Sequence, residues 1–185
     1  SLKTDSLEIY VRNAMELPEA CMEVLQFPSG YSNLTYLLKF GEKELVLRKP
    51  PQGVKTKSGH DMGREFRILS GLHPLYNKVP QPFLFSDELS IIGTPFYIME
   101  RMHGVIFRGH TPKDQLPDLN QMRKLSEAFV STLVEIHSFN YHAAGLENLG
   151  RPDGYVNRQI EGWTKRYIKA KTDEFKPLEK VYTWL

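Results

Sequence analysis

Two β-strand patterns joined by a very short turn constrain the fold more than any other feature of the chain. Leu34–Phe40 and Glu44–Arg48 are rich in large apolar residues, and only Gly41-Glu42-Lys43 separates them. Such a short link joins neighbouring antiparallel strands, because parallel strands need a crossover of roughly a dozen residues or more. The sequence therefore predicts an antiparallel hairpin within its first fifty residues.

The segments around this hairpin extend the predicted sheet. Apolar residues recur at helical spacing in two segments, 5–16, with Asp5 or Ser6 as its cap, and Asp61–Leu72. Further strands are predicted at Glu23–Phe27, Phe83–Phe85 and Phe96–Met99, the last two separated by a polar turn near Asp87 and Glu88. The order strand-strand-strand-helix-strand-strand predicts an α+β fold, a five-stranded antiparallel sheet with one inserted helix.

After Glu100 the sequence becomes helical in character. A loop is predicted over 108–120, followed by helices over 121–137, 155–170 and 177–185, each with an apolar stripe. We therefore divide the chain into an N-terminal extension (1–20), a β-rich lobe (21–100), a hinge (101–104) and the start of a helical lobe (105–185). Because large apolar patches on a surface usually find a partner, we expect the chain either to be only marginally stable or to self-associate through these helices.

Composition excludes several functional classes. The net charge is +2 with no basic cluster, which argues against nucleic-acid binding, and no apolar run reaches the length of a membrane span. A single cysteine excludes an intramolecular disulfide and a cysteine-rich metal site, and we expect an intracellular protein, whether cytoplasmic, peroxisomal or mitochondrial. The sequence contains no GxxxxGK[ST], GxGxxG, HExxH or GxSxG motif.

Three remaining features fit a nucleotide site. The loop before the hairpin carries Gly30, Ser32 and Asn33, whose backbone and small polar groups suit a phosphate, although the loop taken alone is better explained as an ordinary turn. Arg48 ends its strand just before Lys49-Pro50-Pro51, either as a solvated end or as an anion ligand. Glu65 lies at the edge of a helix's apolar stripe, either paired with Arg48 or exposed at the surface.

The third feature is the apolar strand Pro95–Glu100, which runs directly into Met102-His103-Gly104. An adenine ring needs an apolar slot beside exposed backbone N–H and C=O groups, and the end of such a strand at a junction of two lobes offers both. The alternative is that this segment serves core packing alone.

Several motifs of the chain resemble those of the aminoglycoside phosphotransferase-like kinases, which have a protein-kinase-like fold, and they occur in the same order. They are FPSGYSNLTYLLKF, ELVLRKPP, REFRILSGL, VPQPFLFSDELSIIGTPFYIMERMHG and LVEIHS. Together with AGLENLGRPDGYVNRQIEGWTKRY, they most resemble the kinase-like domain fused to acyl-CoA dehydrogenases in animals, of which the chain would be the N-terminal part.

The resemblance implies roles for particular residues. Arg48 takes the place of the strand lysine that grips the nucleotide phosphates, and Glu65 that of the helix glutamate that pairs with it. Ser29, Gly30, Ser32 and Asn33 belong to the phosphate-covering loop, and Met99, Glu100, Arg101 and Met102 to the adenine-binding hinge. Arginine replaces the lysine of protein kinases, yet its fork-shaped cation also suits a phosphate.

The catalytic loop of this family is missing from the sequence. Such kinases need an aspartate base in an HGD-type loop, an asparagine five residues later, and a second aspartate for Mg²⁺. His60-Asp61 has Phe66 at that spacing, and no other aspartate follows a His-Gly or His-x pair. We therefore expect no catalytic or metal-binding residue in this chain and a catalytic loop beyond Leu185.

The resemblance accordingly implies a parent protein that is an ATP- and Mg²⁺-dependent kinase of small-molecule hydroxyls, with hydroxy acids or hydroxyacyl-CoA thioesters as possible acceptors. The chain alone would be inactive. The alternatives are a catalytically silent, pseudokinase-like module that binds nucleotides or partners, and a scaffold that binds no nucleotide at all.

Overall fold

The computed structural model describes residues 2–28, 32–51, 60–109 and 111–184. Its strands are β1 (Met22–Gln26), β2 (Leu34–Phe40), β3 (Lys43–Lys49), β4 (Pro82–Ser86) and β5 (Phe96–Glu100). Its helices are α1 (Thr4–Ala14), α2 (Met62–Leu72), α3 (Leu89–Ile92), α4 (Leu119–His137), α5 (Tyr155–Ala170) and α6 (Lys176–Trp184). The strands form one sheet in the order β1-β2-β3-β5-β4, and every neighbouring pair is antiparallel. The predicted α+β architecture is confirmed.

The hairpin between β2 and β3 forms as its short turn requires. Phe40 pairs with Lys43, which leaves Gly41 and Glu42 to turn the chain. Gly41 has a φ of 60°, a conformation in which a side chain would be strained, so glycine is the residue that this turn needs. The hairpin fixes the register that sends alternate residues of β3 to opposite faces of the sheet.

One face of the sheet, here called the packing face, is apolar. It carries Leu38 and Phe40 of β2, Leu45 and Leu47 of β3, and Phe96 and Ile98 of β5, each fully buried. Leu7 and Val11 of α1 and Ile91 and Ile92 of α3 belong to the same buried cluster. Because burying a large aliphatic or aromatic side chain stabilises a fold by roughly 1.5–3 kcal/mol, this face holds the main core.

The opposite face, here called the polar face, is defined by the cross-strand neighbours Thr35, Arg48 and Tyr97. Helix α2 packs over it through Phe66, whose ring lies 5.8 Å from that of Phe85 and 6.3 Å from that of Tyr97, measured between centroids. The helix that carries Glu65 therefore lies on the same side of the sheet as Arg48.

Two details of the helices differ from the sequence prediction. Helix α1 begins at Thr4 after Lys3, without a side-chain cap, so the caps expected at Asp5 or Ser6 are wrong. Asp5 instead lies in the first turn, where its charge favours the helix dipole. Helix α3 follows the predicted turn at Asp87 and Glu88 and was missed, because four residues are too few to show a helical period.

The helical region begins slightly earlier than predicted. Asp118 caps α4 by accepting a hydrogen bond from the backbone of Gln121, whose side chain accepts one from the backbone of Asp118 in return. This capping box starts α4 inside the segment that was predicted as a loop over 108–120. No residue of α4 is buried, and Leu119 and Phe129 are among its most exposed apolar side chains. Self-association stays a prediction.

The chain divides into two compact units, residues 1–146 and 147–185. In the second unit, α5 and α6 line an apolar cavity of about 630 Å³ with Ile160, Trp163, Tyr167 and Val181 among its walls. Neither Arg48 nor Glu65 contributes to that cavity. Among the described residues, no helix combines the length and apolar character that a membrane-spanning segment requires.

Candidate functional site

Arg48 and Glu65 form an ion pair on the polar face. The Nε atom of Arg48 lies 2.8 Å from Oε2 of Glu65, and their side chains are 34% and 30% exposed. The Nε atom itself is covered, and its N–H is not aligned with the carboxylate, so the contact is ionic in character. The exposed part of the arginine therefore lies on other atoms of the side chain, among which only the terminal nitrogens offer N–H groups to a ligand.

Two buried groups hold the carboxylate of Glu65 from other parts of the fold. Asn33 donates from Nδ2 to Oε1 at 2.9 Å, and the hydroxyl of Tyr97 donates to Oε2 at 2.9 Å. Asn33 is 4% exposed and Tyr97 is 3% exposed. Glu65 thus connects α2 with β5 and with the residue that precedes β2.

Burial and the hydrogen bond to Glu65 raise the pKa of Tyr97 well above its ordinary value. Both effects oppose the phenolate, since it would lose its hydration and would face a carboxylate. Tyr97 therefore remains a hydroxyl donor at any pH at which the protein would be assayed.

His60 extends this network to the start of α2. Its Nδ1 lies 2.6 Å from Oδ1 of Asn33. The next residue, Asp61, caps α2 by accepting from the backbone N–H of Arg64 at 2.8 Å. The beginning of the helix is thus tied to Asn33 at a point only five residues before Glu65.

The end of α2 approaches the chain that follows α4. A side chain carbon added at Gly71 would lie 2.5 Å from the backbone oxygen of Ala144 and 2.7 Å from a methyl group of Leu146. Only glycine permits this approach without a shift of one segment. Helix α2 is therefore held at both ends, which restricts the position of Glu65.

A second contact joins the connection after α2 to α4. Glu135 accepts hydrogen bonds from Lys78 at 2.6 Å and from the Tyr76 hydroxyl at 2.9 Å. The hydrogen bonds from Lys78 and Tyr76 lower the pKa of Glu135, and the bond to Glu135 raises the pKa of Lys78. The contact is solvent-exposed, so it restrains the geometry more than it stabilises the fold.

The predicted phosphate-covering loop is described only in part. Ser29 and Gly30 lie outside the described residues, and Ser32 is exposed. The side chain of Asn33 is turned toward Glu65 and His60, so its amide is already engaged within the protein. Its expected contribution to phosphate binding stays a prediction.

The four predicted hinge residues lie at the end of β5 and just after it. Met99 pairs with Val46 of β3, and the backbone N–H of Glu100 donates to the carbonyl of Gln81 at 2.8 Å. Arg101 forms an ion pair with Glu44 at 2.5 Å, and Met102 is 53% exposed.

Comparison with known proteins identifies the family. The sequence profile of the phosphotransferase enzyme family (APH) matches residues 23–185. This chain belongs to that family.

Relatives with known names and structures agree with the match. The chain is 36% identical to acyl-CoA dehydrogenase family member 10 of Mus musculus, covering all of this chain and 17% of that protein. It is 36% identical to family member 11 of Homo sapiens, covering 90% of this chain and 21% of the relative. A crystal structure from Ralstonia eutropha, assigned as an aminoglycoside phosphotransferase, superimposes with a TM-score of 0.77 at 27% identity over all of this chain and 53% of its own.

Within this phosphotransferase family member, the structure brings together Arg48, Glu65 and Asn33 from the predicted set. Sequence reasoning missed Tyr97 and His60, which complete the network around Glu65. Tyr97 occupies an apolar strand, where an aromatic residue is explained by packing alone. Its position opposite Arg48 in the β3–β5 register is the observation that would have identified it.

The family implies two cofactors, ATP and a divalent metal ion. The Arg48 side chain, about one-third exposed on the polar face, suits the phosphates of ATP. In the ranges that the structure describes, no group of three histidine, cysteine, aspartate or glutamate side chains is arranged to hold a metal ion.

Proposed function

We propose that this chain is the nucleotide-binding part of a kinase that transfers the γ-phosphoryl group of ATP to a hydroxyl group of a small molecule. The observation that carries the proposal is the pairing of Arg48 with Glu65 on the polar face, beside the strand that leads to the hinge. An arginine that is held by a carboxylate through Nε can still donate from its terminal nitrogens to a phosphate. The family match supports phosphotransfer as the reaction class.

In this proposal each group has a limited task. Glu65 orients the guanidinium of Arg48, which neutralises and positions phosphate oxygens. The adenine ring lies against the end of β5, where the N–H groups of residues 101–107 make no hydrogen bond to another described residue. The base that activates the acceptor hydroxyl, and the Mg²⁺ ligands, are proposed to follow Leu185, since the sequence contains no HGD-type loop.

The acceptor is proposed to be a hydroxy acid or a hydroxyacyl-CoA thioester. Support comes from the relatives named acyl-CoA dehydrogenase family members 10 and 11, which share this region and are several times longer than this chain. An enzyme region that shares a chain with acyl-CoA chemistry is expected to act on related acyl compounds.

A second candidate is a nucleotide-binding module without phosphotransferase activity. The Arg48–Glu65 pair supports this candidate as well, because it would hold phosphates without a catalytic base. The two candidates differ in turnover, because a silent module would bind ATP and yet release no phosphorylated product.

The test compares the full-length protein with the 185-residue chain. Each is incubated with ATP, Mg²⁺ and a panel of hydroxy acids and their CoA thioesters, and phosphorylated product is measured by mass spectrometry. We expect product from the full-length protein alone. ATP binding without product would favour the silent module, and sustained turnover by the chain alone would overturn the assignment of the catalytic loop.

A four-member mutant cycle tests the site itself in the full-length protein. Arg48→Ala is expected to lower kcat/KM for ATP on the order of 10- to 100-fold, because a hydrogen bond to a charged group is worth roughly 1.5–3 kcal/mol. Arg48→Lys retains the charge and should retain part of the activity. Glu65→Ala should resemble Arg48→Ala, and the double variant should be little worse than either. Additive losses would show that the two residues act independently.

A further inference from the structure

We infer that Asn33 and Tyr97 are positioning residues that fix the Glu65 carboxylate, so that it holds the Arg48 guanidinium toward the nucleotide phosphates. The inference rests on the proposed function, which assigns the phosphates to Arg48. It goes beyond the ion pair itself, because it assigns the geometry of the pair to two side chains that come from other elements of the fold.

Both oxygens of Glu65 have a donor. Oε1 accepts from Asn33, and Oε2 accepts from Tyr97 while lying 2.8 Å from Nε of Arg48. A carboxylate held at both oxygens cannot rotate without losing one of these contacts. The ion pair alone would leave such rotation free, since the N–H of Arg48 is not aligned with the carboxylate.

The two donors are more buried than the ion pair that they restrain. Asn33 and Tyr97 are 4% and 3% exposed, whereas the side chains of Arg48 and Glu65 are about one-third exposed. Hydrogen bonds away from water are stronger, because water does not compete for the donor or the acceptor. The buried side of the network therefore sets the position of the exposed side.

The orientation of the Asn33 amide follows from its two neighbours. Nδ2 must face Glu65, because the reverse orientation would set Oδ1 against a carboxylate. Oδ1 then faces Nδ1 of His60 at 2.6 Å, so the imidazole carries its hydrogen on Nδ1. His60 is thus a third member, which fixes Asn33 rather than Glu65.

Positioning and simple structural support have different consequences for binding. If Asn33 and Tyr97 act through Arg48, their loss affects affinity for ATP and leaves affinity for adenosine unchanged, because adenosine has no phosphate. If they only maintain the fold of this region, both affinities fall together. Tyr97→Phe is the decisive variant, since it removes only the hydroxyl, whereas Asn33→Asp preserves shape but also adds a negative charge beside Glu65.

The experiment measures ATP and adenosine binding to the full-length protein by calorimetry at pH 8. We expect Asn33→Asp to raise the Kd for ATP on the order of tenfold and Tyr97→Phe about three- to tenfold, with the Kd for adenosine unchanged. Tyr36→Phe is the matched control: Tyr36 is 9% exposed on the packing face, and no hydrogen bond of its hydroxyl is found in the described ranges. Its ATP affinity should equal that of the unaltered protein.

Measuring ATP binding over a pH series tests whether a shared proton can replace the donor that Asn33→Asp removes. The titratable groups around position 33 are His60 and Glu65, with Arg48 and Tyr97 beyond Glu65. In Asn33→Asp two carboxyl groups face each other, and as the pH is lowered they can share one proton and restore the missing donor. We expect the Kd ratio of Asn33→Asp to the unaltered protein to fall toward one as the pH is lowered.

The outcomes distinguish the inference from the proposal beneath it. If the unaltered protein binds no ATP, the proposed function and the inference both fail. If it binds ATP and the two variants match it, or if adenosine affinity falls as much as ATP affinity, the inference alone is overturned. A selective loss for ATP in Tyr97→Phe, with adenosine affinity unchanged, supports it.

Discussion

Leu47 and Arg48 are consecutive residues of β3 that serve opposite faces of the sheet. Leu47 lies between Tyr36 and Ile98 on the packing face and is fully buried. Arg48 lies between Thr35 and Tyr97 on the polar face, paired with Glu65 and 34% exposed. Because side chains alternate along a strand, one step in sequence separates the core from the candidate site.

The difference indicates that the main core lies on one surface of these strands and the proposed binding site on the other. Fully buried apolar residues contribute mainly to folding. An ion pair that is about one-third exposed contributes about 1 kcal/mol or less to folding. Variants on the packing face should therefore change the free energy of unfolding, and variants on the polar face should change the affinity for ATP.

Leu47→Ala tests this separation with the largest expected effect. Removing a fully buried leucine should lower the free energy of unfolding by about 2–5 kcal/mol, as measured by urea denaturation. The ATP affinity of the protein that remains folded should not change. Arg48→Ala should do the reverse, and equal destabilisation by both variants would refute the division between the faces.

Gly71→Ala tests whether the polar face depends on the chain after α4. The added methyl group would collide with the backbone of Ala144, so we expect a loss of about 1–3 kcal/mol in unfolding free energy and weaker ATP binding, since α2 carries Glu65. Gly162→Ala in α5 is the control, because nothing lies within 4 Å of its added carbon. That variant should be neutral or stabilising by up to about 1 kcal/mol. Similar effects of both variants would contradict the role of the close contact.

Lys49 is an exception to the apolar character of the packing face, because its side chain lies on that face and is only 2% exposed. Burial lowers its pKa below 10.5, so in the pH range between the folded pKa and 10.5 the unfolded chain binds more protons than the folded one. Unfolding free energy should therefore rise with pH across that range. Lys49→Met should remove this rise and stabilise the protein by about 0.5–2 kcal/mol at pH 7. Identical pH profiles before and after the substitution would reject this account.

Glu135→Gln should have the smallest effect, since its contacts with Lys78 and Tyr76 are exposed. Those contacts lower the pKa of Glu135, so their contribution is present above the unfolded pKa near 4.5 and is lost as the pH falls through the lower folded pKa. Thermal melting at pH 7 should show a slightly lower midpoint for the variant, and the two midpoints should converge in acid. If the difference between the two melting midpoints grew in acid, the contacts would not stabilise the ionised form of Glu135, and the prediction would be wrong.

Local patterns were sufficient for much of the fold. The short link after Phe40 predicted an antiparallel hairpin, and the spacing of Met62, Phe66 and Leu69 placed α2 correctly. The position of Glu65 at the edge of that stripe led to the expected pairing with Arg48, which the structure contains. These features are predictable because each depends on residues that are close in sequence or on the period of one element.

The partners of that pair were decided by the tertiary structure alone. Asn33 and Tyr97 are each 32 residues from Glu65, on opposite sides of it in the sequence, and His60 is 27 residues from Asn33. The period of a strand tells which residues share a face, but it does not tell which helix covers that face or which polar groups then become buried together. Sequence alone therefore determined that β3 has an apolar side and a charged end, whereas the packing of α2 over the polar face decided which donors hold Glu65.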